Sequence, residues 1–583
     1  MDTRRNAPGQ PKLRVAILTG LERGSALDAF AALAAVSDIE IVGILFDSER
    51  PSLGRRFRNL KKNVKREGVG YIGFRLVEAV RGALEGFANR VVSQEEVNQA
   101  IRRAFPHRPF HLQDFQRLFN IPLHDVGNLN SQWAAKTLRS LSVDVGVVLG
   151  TRVLKRSTFS VPRLGCLNVH KGKVPEYRGL PPGFWELYDG QSAAGVTIHF
   201  VDDGLDTGDI VGADSVPIHP ADSVETLQAK LDALAKDLLV RSVIGIAQES
   251  YTRTKQSAWS GKARTSPTRA QRRELEHRRH PGKGHVHPIV SVVKTAVYLA
   301  MYFGGLVWLI RTFRKLLGLQ RACIVLYHRV NDECDDVLTT SLERFAQHIT
   351  LLKRFYEIID SSELVRRLQT GEKLSGRAVV VHFDDCYRDV FTAAFPLMQQ
   401  AGLPATVFVS TGFVGTSRTF EHDRTICPLP LDNFTAGDLC ALRKDGWELG
   451  SHTVNHANLG TAMEEEARYE IRQSKTDLET ILKEPITLFS YPFGGRHHTQ
   501  PVVRELVQQA GYIAMFSAYG GYVHQGDDLY SIQRIGANGH FRPLDLVMAI
   551  EGLSLDALRH RTEGVMGNTT QISRDEGRSG AIR

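Results

Sequence analysis

Cysteine is scarce in this 583-residue chain: six residues, Cys166, Cys323, Cys334, Cys386, Cys427 and Cys440, with no CxxC pair. That is too few to staple a small secreted fold, so the cysteines are expected to be unpaired and the compartment reducing. A charge excess is also lacking. Lys+Arg 73 against Asp+Glu 64 leaves only +9, so attraction to anions must come from local patches rather than from the whole surface. The start, Met1 to Gln10, is polar, and the apolar run Leu13 to Leu18 is too short for a signal-peptide core, so no export of the N-terminal half is expected. With 42% hydrophobic and 23% charged residues, the composition excludes a mostly disordered, collagenous or coiled-coil protein. The length suits two to four domains.

Long apolar runs are lacking too, with one exception. Thr295 to Ile310 is 16 uncharged residues, about 24 Å as a helix and short of the ~30 Å hydrocarbon core. Lys294 precedes it, and Arg311, Arg314 and Lys315 follow on a Leu-rich amphipathic continuation. A span requires Ile289 to Val293 as well, with Lys294 snorkelling. An interfacial helix with a basic rim fits better, and a helix docked on the protein's own core stays open beside it.

The rest of the chain is patterned as α/β. Leu13 to Thr19 and Ile39 to Phe46 are predicted strands flanking a helix over Ser25 to Val36. Strand character returns at Val143 to Leu149, Gly165 to His170 and Gly195 to Asp202, and Ser223 to Ile246 is a closing helix. This predicts an open twisted, Rossmann-like sheet over residues 12–250. Arg55 to Arg66 carries seven basic residues and no acid. A solvated helix face accounts for it, and contact with an anionic lipid or nucleotide sugar is the sharper alternative. No aromatic ladder or nucleic-acid motif accompanies the charge, so no nucleic-acid partner is expected. Residues 251–288 read as a basic linker and 289–320 as the hydrophobic or amphipathic helix. Across 321–555 seven apolar runs, from Cys323–His328 to Ser531–Ile535, alternate with helical stretches, which predicts a distorted (β/α)7 barrel. The polar tail, 568–583, is expected to be disordered.

Two segments carry chemistry in the first half. Asn168 and His170 lie two apart at a strand end, so their side chains can share one face, and an amide beside an imidazole suits a developing oxyanion. Asp206 sits in the Gly-rich run Asp202 to Ile210, where a carboxylate can orient the imidazole and manage the proton of an attacking amine. With Asp144-Val-Gly-Val-Val before them, these motifs closely resemble the folate-dependent formyltransferase family, which includes methionyl-tRNA, glycinamide ribonucleotide and sugar formyltransferases. The resemblance implies that Asn168, His170 and Asp206 are the catalytic trio and that 10-formyltetrahydrofolate is the donor. Lys171 and Gly172 stand where the family commonly has Pro-Ser. Gly24-Ser25 can either cap the first helix or cradle an acceptor phosphate.

In the second half, His382-Phe383-Asp384-Asp385 ends a predicted strand, and His452 and His456 follow in Ser451-His-Thr-Val-Asn-His456. One carboxylate with two imidazoles leaves open positions on a divalent metal, and the second carboxylate is free to act as base. Together with Leu326-Tyr-His-Arg-Val330 and Ser490-Tyr-Pro-Phe-Gly494, these residues resemble the polysaccharide deacetylases with a NodB homology domain. The resemblance implies Asp384 as general base, Asp385, His452 and His456 as ligands of zinc or a similar divalent metal, and the Tyr491 amide as an oxyanion donor. Cys386 replaces the usual Gly and offers an extra thiolate beside the metal. The general-acid histidine is not recognisable, with His524 and His540 as candidates.

The expected function is bifunctional: folate-dependent N-formyl transfer to an amino sugar, and metal-dependent hydrolytic N-deacetylation of a carbohydrate. The expected partners are an amino-sugar, nucleotide-sugar or glycan substrate and, through 289–320, a membrane surface. The expected location is the cytoplasm or the cytosolic face of a membrane. The alternatives are formylation followed by deformylation of a lipid-linked amino sugar, or one half being a degenerate carbohydrate-binding module.

Overall fold

The computed structural model describes residues 11–257, 261–279, 288–334, 336–427, 429–537 and 539–555, so the expected tail at 568–583 lies outside the described residues. The chain divides into two compact units: residues 1–74 with 105–284, and residues 75–104 with 285–583.

The first unit is built on a seven-stranded sheet in the order β3-β2-β1-β4-β5-β6-β7. The strands are β1 (Leu13–Thr19), β2 (Ile39–Phe46), β3 (Leu123–Asp125), β4 (Val145–Leu149), β5 (Gly165–His170), β6 (Ala193–Phe200) and β7 (Ile210–Pro217). Strands β1 to β5 pair in parallel, and β6 and β7 are antiparallel additions. β1 and β4 read as near-continuous apolar runs because helices cover both faces. One such cover is the helix Val224–Ala247, started by a reciprocal cap between Ser223 and Thr226. The expected open α/β sheet is thus present. β3 and β7 were not expected: the first is three residues long, and the second is largely solvent-facing and carries little apolar signal.

The stretch expected to be a linker, 251–288, is corrected over its described part. Thr254 pairs with Ile210 and Arg264 with Gly179. The helix Arg269–Arg279 buries Leu275 in the core. The arginines that mimic a solvated linker lie over rings instead, Arg264 at 5.1 Å from Trp185 and Arg278 at 4.5 Å from Tyr188. The basic run 55–66 forms most of α2 (Leu53–Glu67), and α1 (Ala26–Ala34) precedes it.

The second unit holds a curled sheet of parallel strands in the order Ala514–Phe516, Leu488–Ser490, Glu448–Ser451, Thr406–Val409, Ala378–Asp385 and β8 (Arg321–Tyr327). Ile532 bridges Phe516 and Ile535 pairs with Val325, so the segment 532–536 brings the two edges together. All seven expected β/α runs are therefore strands or strand contacts of a distorted barrel. The C-terminal part of α3 (Gly70–Ala88) and α4 (Gln94–Ala104) also belong to this unit. α4 buries Val97 and Ile101 and packs on the helices Leu342–Phe355 and Phe395–Ala401.

The apolar run near residue 300 forms two helices, Pro288–Phe303 and Leu306–Leu316, bent by 55°. Gly304 and Gly305 make the break. A Cβ on Gly304 would meet the Ala300 carbonyl at 2.4 Å, and Gly305 takes φ +81°. Among the described residues no single helix is long and apolar enough to cross a membrane. One face docks on the helix Pro543–Ile550 region, where Tyr298 Oη accepts from the Leu555 amide at 2.8 Å and Arg542 donates to Thr295. Lys294 pairs with Asp545 rather than snorkelling. The other face leaves Phe303, Trp308, Leu309, Phe313 and Leu316 exposed.

The expectation that no cysteine pairs is also corrected. Cys334 and Cys427 form a disulfide, with Cα atoms 6.0 Å apart across 93 residues of sequence. Sequence spacing cannot show this, because the barrel's loops bring the two together. Cys166, Cys323, Cys386 and Cys440 are free thiols.

Candidate active sites

In the first unit Asn168 and His170 occupy the end of β5, and Asp206 sits in the loop between β6 and β7. Asp206 takes φ +54°, a strained conformation of the kind that clusters at functional sites. The three side chains come together. Asn168 Nδ2 donates to Asp206 Oδ1 at 3.2 Å, and His170 Nδ1 lies 3.5 Å from Asp206 Oδ2. The Gly179 amide also donates to Asp206, at 3.2 Å. His199, a residue the sequence reading missed, completes the cluster: its Nε2 accepts from Asn168 at 3.2 Å and its Nδ1–H donates to the Phe200 carbonyl at 2.8 Å. Its signal was the alternation of β6, which turns it to the same face.

Burial pushes Asp206 upward, but the neighbouring His199 and His170 imidazoles and the Gly179 amide outweigh it, so the carboxyl stays below its ordinary range. His170 is lowered, first by burial, with Asp206 opposing. His170 Nε2–H donates to the Tyr177 carbonyl at 2.8 Å. This explains Gly172: a Cβ there would sit 2.5 Å from that carbonyl and 2.6 Å from Nε2. The cluster opens into a 520 Å³ cavity walled by Leu180, Val201, Leu205 and Thr265. Ser25 stands at the N-cap position of α1, as one of the two readings had it, and its hydroxyl is not open to a phosphate. Ser25 makes no cap bond and gives its hydroxyl to Asp232, which also pairs with Lys171.

In the second unit Asp384 and Asp385 end the strand Ala378–Asp385, and His452 directly follows the strand Glu448–Ser451. Both therefore stand at the C-terminal rim of the barrel. Asp385 and His456 take positive φ, +80° and +57°. His456 Nε2 lies 3.2 Å and His452 Nε2 3.6 Å from Asp385 Oδ1. His452 Nδ1–H donates to the Ser490 carbonyl at 2.7 Å, which turns its other nitrogen to the carboxylates. Burial brings His452 down to about 4, so that nitrogen keeps its lone pair at neutral pH.

Asp385 is 1% exposed, and neither of its oxygens receives a well-directed hydrogen bond among the described residues. Burial opposes its charge, yet His456, His328 and His422 hold its carboxyl far below the ordinary range. A buried, ionised carboxylate without directed donors, facing two imidazoles with ligand atoms within 4.8 Å, fits a divalent cation.

Asp384 has a different partner. Arg534, fully buried, grips it through two bonds of 2.8 and 2.6 Å and also donates to Ser490 at 2.8 Å. Burial raises Asp384, and the Arg534 guanidinium more than offsets it. The sequence reading missed Arg534 because it lies in an undistinguished run that only barrel closure brings to the site.

His328 and His422 were missed as well. Both face the carboxylates, with His422 Nε2 3.9 Å from Asp385 and 2.8 Å from the Tyr387 hydroxyl. The two general-acid candidates named from the sequence are both at the surface. His524 is exposed and paired with Asp527, and His540 is exposed. Cys386 is corrected: burial pushes its thiol far up, so it is no thiolate. Tyr491 is buried, with its hydroxyl on the Gly494 carbonyl. Exposed Phe493 packs edge-on against His456, at 4.8 Å.

Residues 80–243 match a family model described as formyl transferase, and residues 371–515 one described as polysaccharide deacetylase. The chain is 41% identical over 114 residues to the methionyl-tRNA formyltransferase of Thermosynechococcus vestitus, a stretch that is 19% of this chain and 34% of that protein. It is 29% identical over 174 residues to that of Bacteroides thetaiotaomicron, covering 30% and 54%. The chain thus spans between a third and about half of the length of these relatives. Among solved structures, the Streptococcus pyogenes deacetylase PplD in complex with acetate has 20% identity and a TM-score of 0.35, over 40% of this chain and 98% of that one. The phosphoribosylglycinamide formyltransferase of Bacillus halodurans has 18% identity and a TM-score of 0.27, over 41% and 96%.

Proposed function

Because the chain carries a formyl transferase domain and a polysaccharide deacetylase domain, we propose that it is a bifunctional enzyme acting on the nitrogen of an amino sugar. One unit adds a formyl group to a free amine, and the other hydrolyses an N-acyl group, acetyl in the first instance. The observation that carries this reading is a pair of ionised carboxylates, Asp206 and Asp385, each held among imidazoles at strand ends of its own unit.

In the first unit, 10-formyltetrahydrofolate would supply the formyl group. The acceptor amine attacks the formyl carbon, Asn168 and His170 turn N–H groups from their resting partners to the oxygen as charge develops on it, and Asp206 takes the proton leaving the amine. The bond from the formyl carbon to the folate nitrogen then breaks, and tetrahydrofolate leaves with that proton. In the second unit, Asp385, His452 and His456 would hold zinc or a similar divalent metal, which supplies carbonyl polarisation and an acidified water. Asp384, aligned by Arg534, takes a proton from the attacking water. The Tyr491 amide donates to the developing oxyanion, and the proton held by Asp384 passes by way of His328 to the departing amine as the C–N bond breaks. Hydrolysis yields the amine that formylation consumes, and tethering the two units raises the local concentration of that intermediate. The exposed apolar face around Trp308 supports attachment to a membrane surface, read here as its cytosolic side.

Incubation with 10-formyltetrahydrofolate and a panel of amino sugars and their nucleotide derivatives should release tetrahydrofolate. Unchanged turnover in Asp206→Asn and His170→Ala would refute the assignment. The Cys334–Cys427 disulfide favours a second reading, because such bonds persist in oxidising compartments. There the hydrolase works outside the cytosol and removes formyl from a lipid-linked amino sugar. Comparing formate with acetate release from matched N-acyl substrates separates the two.

A further inference from the structure

The α2 helix buries none of its 15 residues, yet one of its faces is not merely solvated. Arg55, Asn59, Lys62 and Arg66 fall on one stripe by helical spacing. The stripe lines two hollows in turn. A 400 Å³ cavity lies between Arg55 and Asn59 on α2 and the loop Gly150–Arg152. A 460 Å³ cavity lies between Asn59, Lys62 and Arg66 on α2 and the segment Thr265 to Arg272, with Tyr71 and Phe74 as aromatic walls. Gly150–Arg152 and Thr265–Ser266 are also walls of the cavity that contains Asn168, His170 and Asp206. Both hollows therefore adjoin the candidate formyl-transfer site.

The charge in this groove is lopsided and its walls are tied. Four cations, Lys62, Arg66, Arg269 and Arg272, line the larger hollow against one carboxylate, Glu67. Glu67 is already bound by Arg66 at 3.0 Å and Arg269 at 2.8 Å. Arg66 also donates to the Ser266 carbonyl at 2.9 Å, joining α2 to the opposite wall. Arg269 lies 5.0 Å over the Phe74 ring, which fixes its side chain. In the smaller hollow Asp47 and Glu49 are both taken by Arg152, which leaves Arg50 and Arg55; these two, with Lys62 and Arg272, form no ion pair among the described residues. A merely solvated face has no reason to be pinned across a cleft. Cations left over in two neighbouring hollows call for a ligand with more than one negative charge, and a phosphoanhydride supplies that charge with several acceptor oxygens.

We propose that this groove binds the diphosphate of the formyl acceptor, so that the acceptor is an amino sugar carried on a diphosphate ester. The inference rests on the formyl-transfer reading above and adds the acceptor's carrier chemistry to it. Both a nucleoside and a polyprenyl chain can bear the diphosphate. Tyr71 offers a ring to a base, and exposed Leu53 and Phe57 on α2 offer apolar surface to a lipid.

The test is calorimetric titration of the full chain with inorganic pyrophosphate, UDP, and farnesyl diphosphate in detergent. Pyrophosphate should bind saturably, and the Lys62→Ala/Arg272→Ala pair should weaken it by roughly tenfold to a hundredfold, the usual loss for charge-assisted contacts. Lys65→Ala, which lines neither hollow, should change nothing, and Lys62→Arg should retain binding. Tighter binding of UDP than of pyrophosphate assigns a nucleotide carrier, and tighter binding of farnesyl diphosphate a lipid carrier. No saturable binding of pyrophosphate, or equal binding by the double variant, overturns the proposal. Formylation of a phosphate-free amino sugar at full efficiency would overturn the groove and leave the formyl-transfer reading standing. Pyrophosphate binding with no amine formylated would do the reverse.

Discussion

Arg534 is the residue on which the hydrolytic reading can be tried most directly. It is buried and makes bidentate contact with Asp384, but it touches none of the three proposed metal ligands in the hydrogen bonds it forms. Removing it should leave Asp384 misaligned without emptying the metal site. Arg534→Met is therefore expected to lower kcat for acyl release by about 10²-fold or more, with bound metal measured by elemental analysis unchanged. Asp385→Asn should lose the metal itself. A second residue gives a prediction in pH. Glu186, 2% exposed, is raised to about 7, chiefly by burial. Its folded value lies above its unfolded one, so the folded state holds the proton more tightly. Its stabilising contribution is complete below about pH 4.5 and is lost as pH rises toward 7. Glu186→Gln should then raise the melting temperature of the first unit at pH 8 and leave it nearly unchanged at pH 4.5 in calorimetry. At this scale the sequence named Asn168, His170, Asp206, Asp384, Asp385, His452 and His456, because each lies in a short motif. It missed Arg534, His328, His199 and His422, whose roles come from facing residues far away in the chain.

Among the elements, the bent helix pair Pro288–Phe303 and Leu306–Leu316 has the clearest division of faces. Thr295 and Tyr298 are held against the C-terminal helix region, whereas Trp308 and Phe313 are exposed. Trp308→Ser with Phe313→Ser should reduce co-sedimentation with anionic vesicles severalfold, while acyl release from a soluble substrate is unchanged. Equal sedimentation by the double variant would remove the membrane-surface role. The disulfide ties the loop after β8, which carries Asp336, to the short helix Asp423–Ile426. Both carboxylates clamp fully buried Arg329. Cys427→Ser should cost the second unit about 2–4 kcal/mol in denaturant unfolding, and the wild type under strong reductant should match it. The strands were legible where apolar runs were continuous. The breakdown of the expected linker was not, because arginines stacked on rings look in sequence like arginines in water.

At the scale of the whole molecule, the two units separate the proposed chemistries. If they share a substrate, the full chain given an N-acetylated amino sugar and 10-formyltetrahydrofolate should form the N-formyl product with less free amine accumulating than an equimolar mixture of an Asp206→Asn and an Asp385→Asn chain, read by mass spectrometry. Equal accumulation would mean that tethering brings nothing. The division of the chain also departs from a single cut between domains: residues 75–104 belong with the second unit. The reason is α4, whose Val97 and Ile101 are buried against two of that unit's helices. An amphipathic helix records in its sequence that it has a buried face, but not which neighbour buries it.

The sequence by itself determined the two α/β architectures and the motifs at their strand ends, because hydrophobic periodicity and short-range spacing are local properties of a chain. Only the tertiary structure decided that Arg534 grips Asp384, that Cys334 meets Cys427, and that a basic helix faces the arginines at 269 and 272 across a cleft. These are meetings between residues tens to hundreds of positions apart. They are settled by sheet order and barrel closure, and nothing in the local pattern of either partner records them.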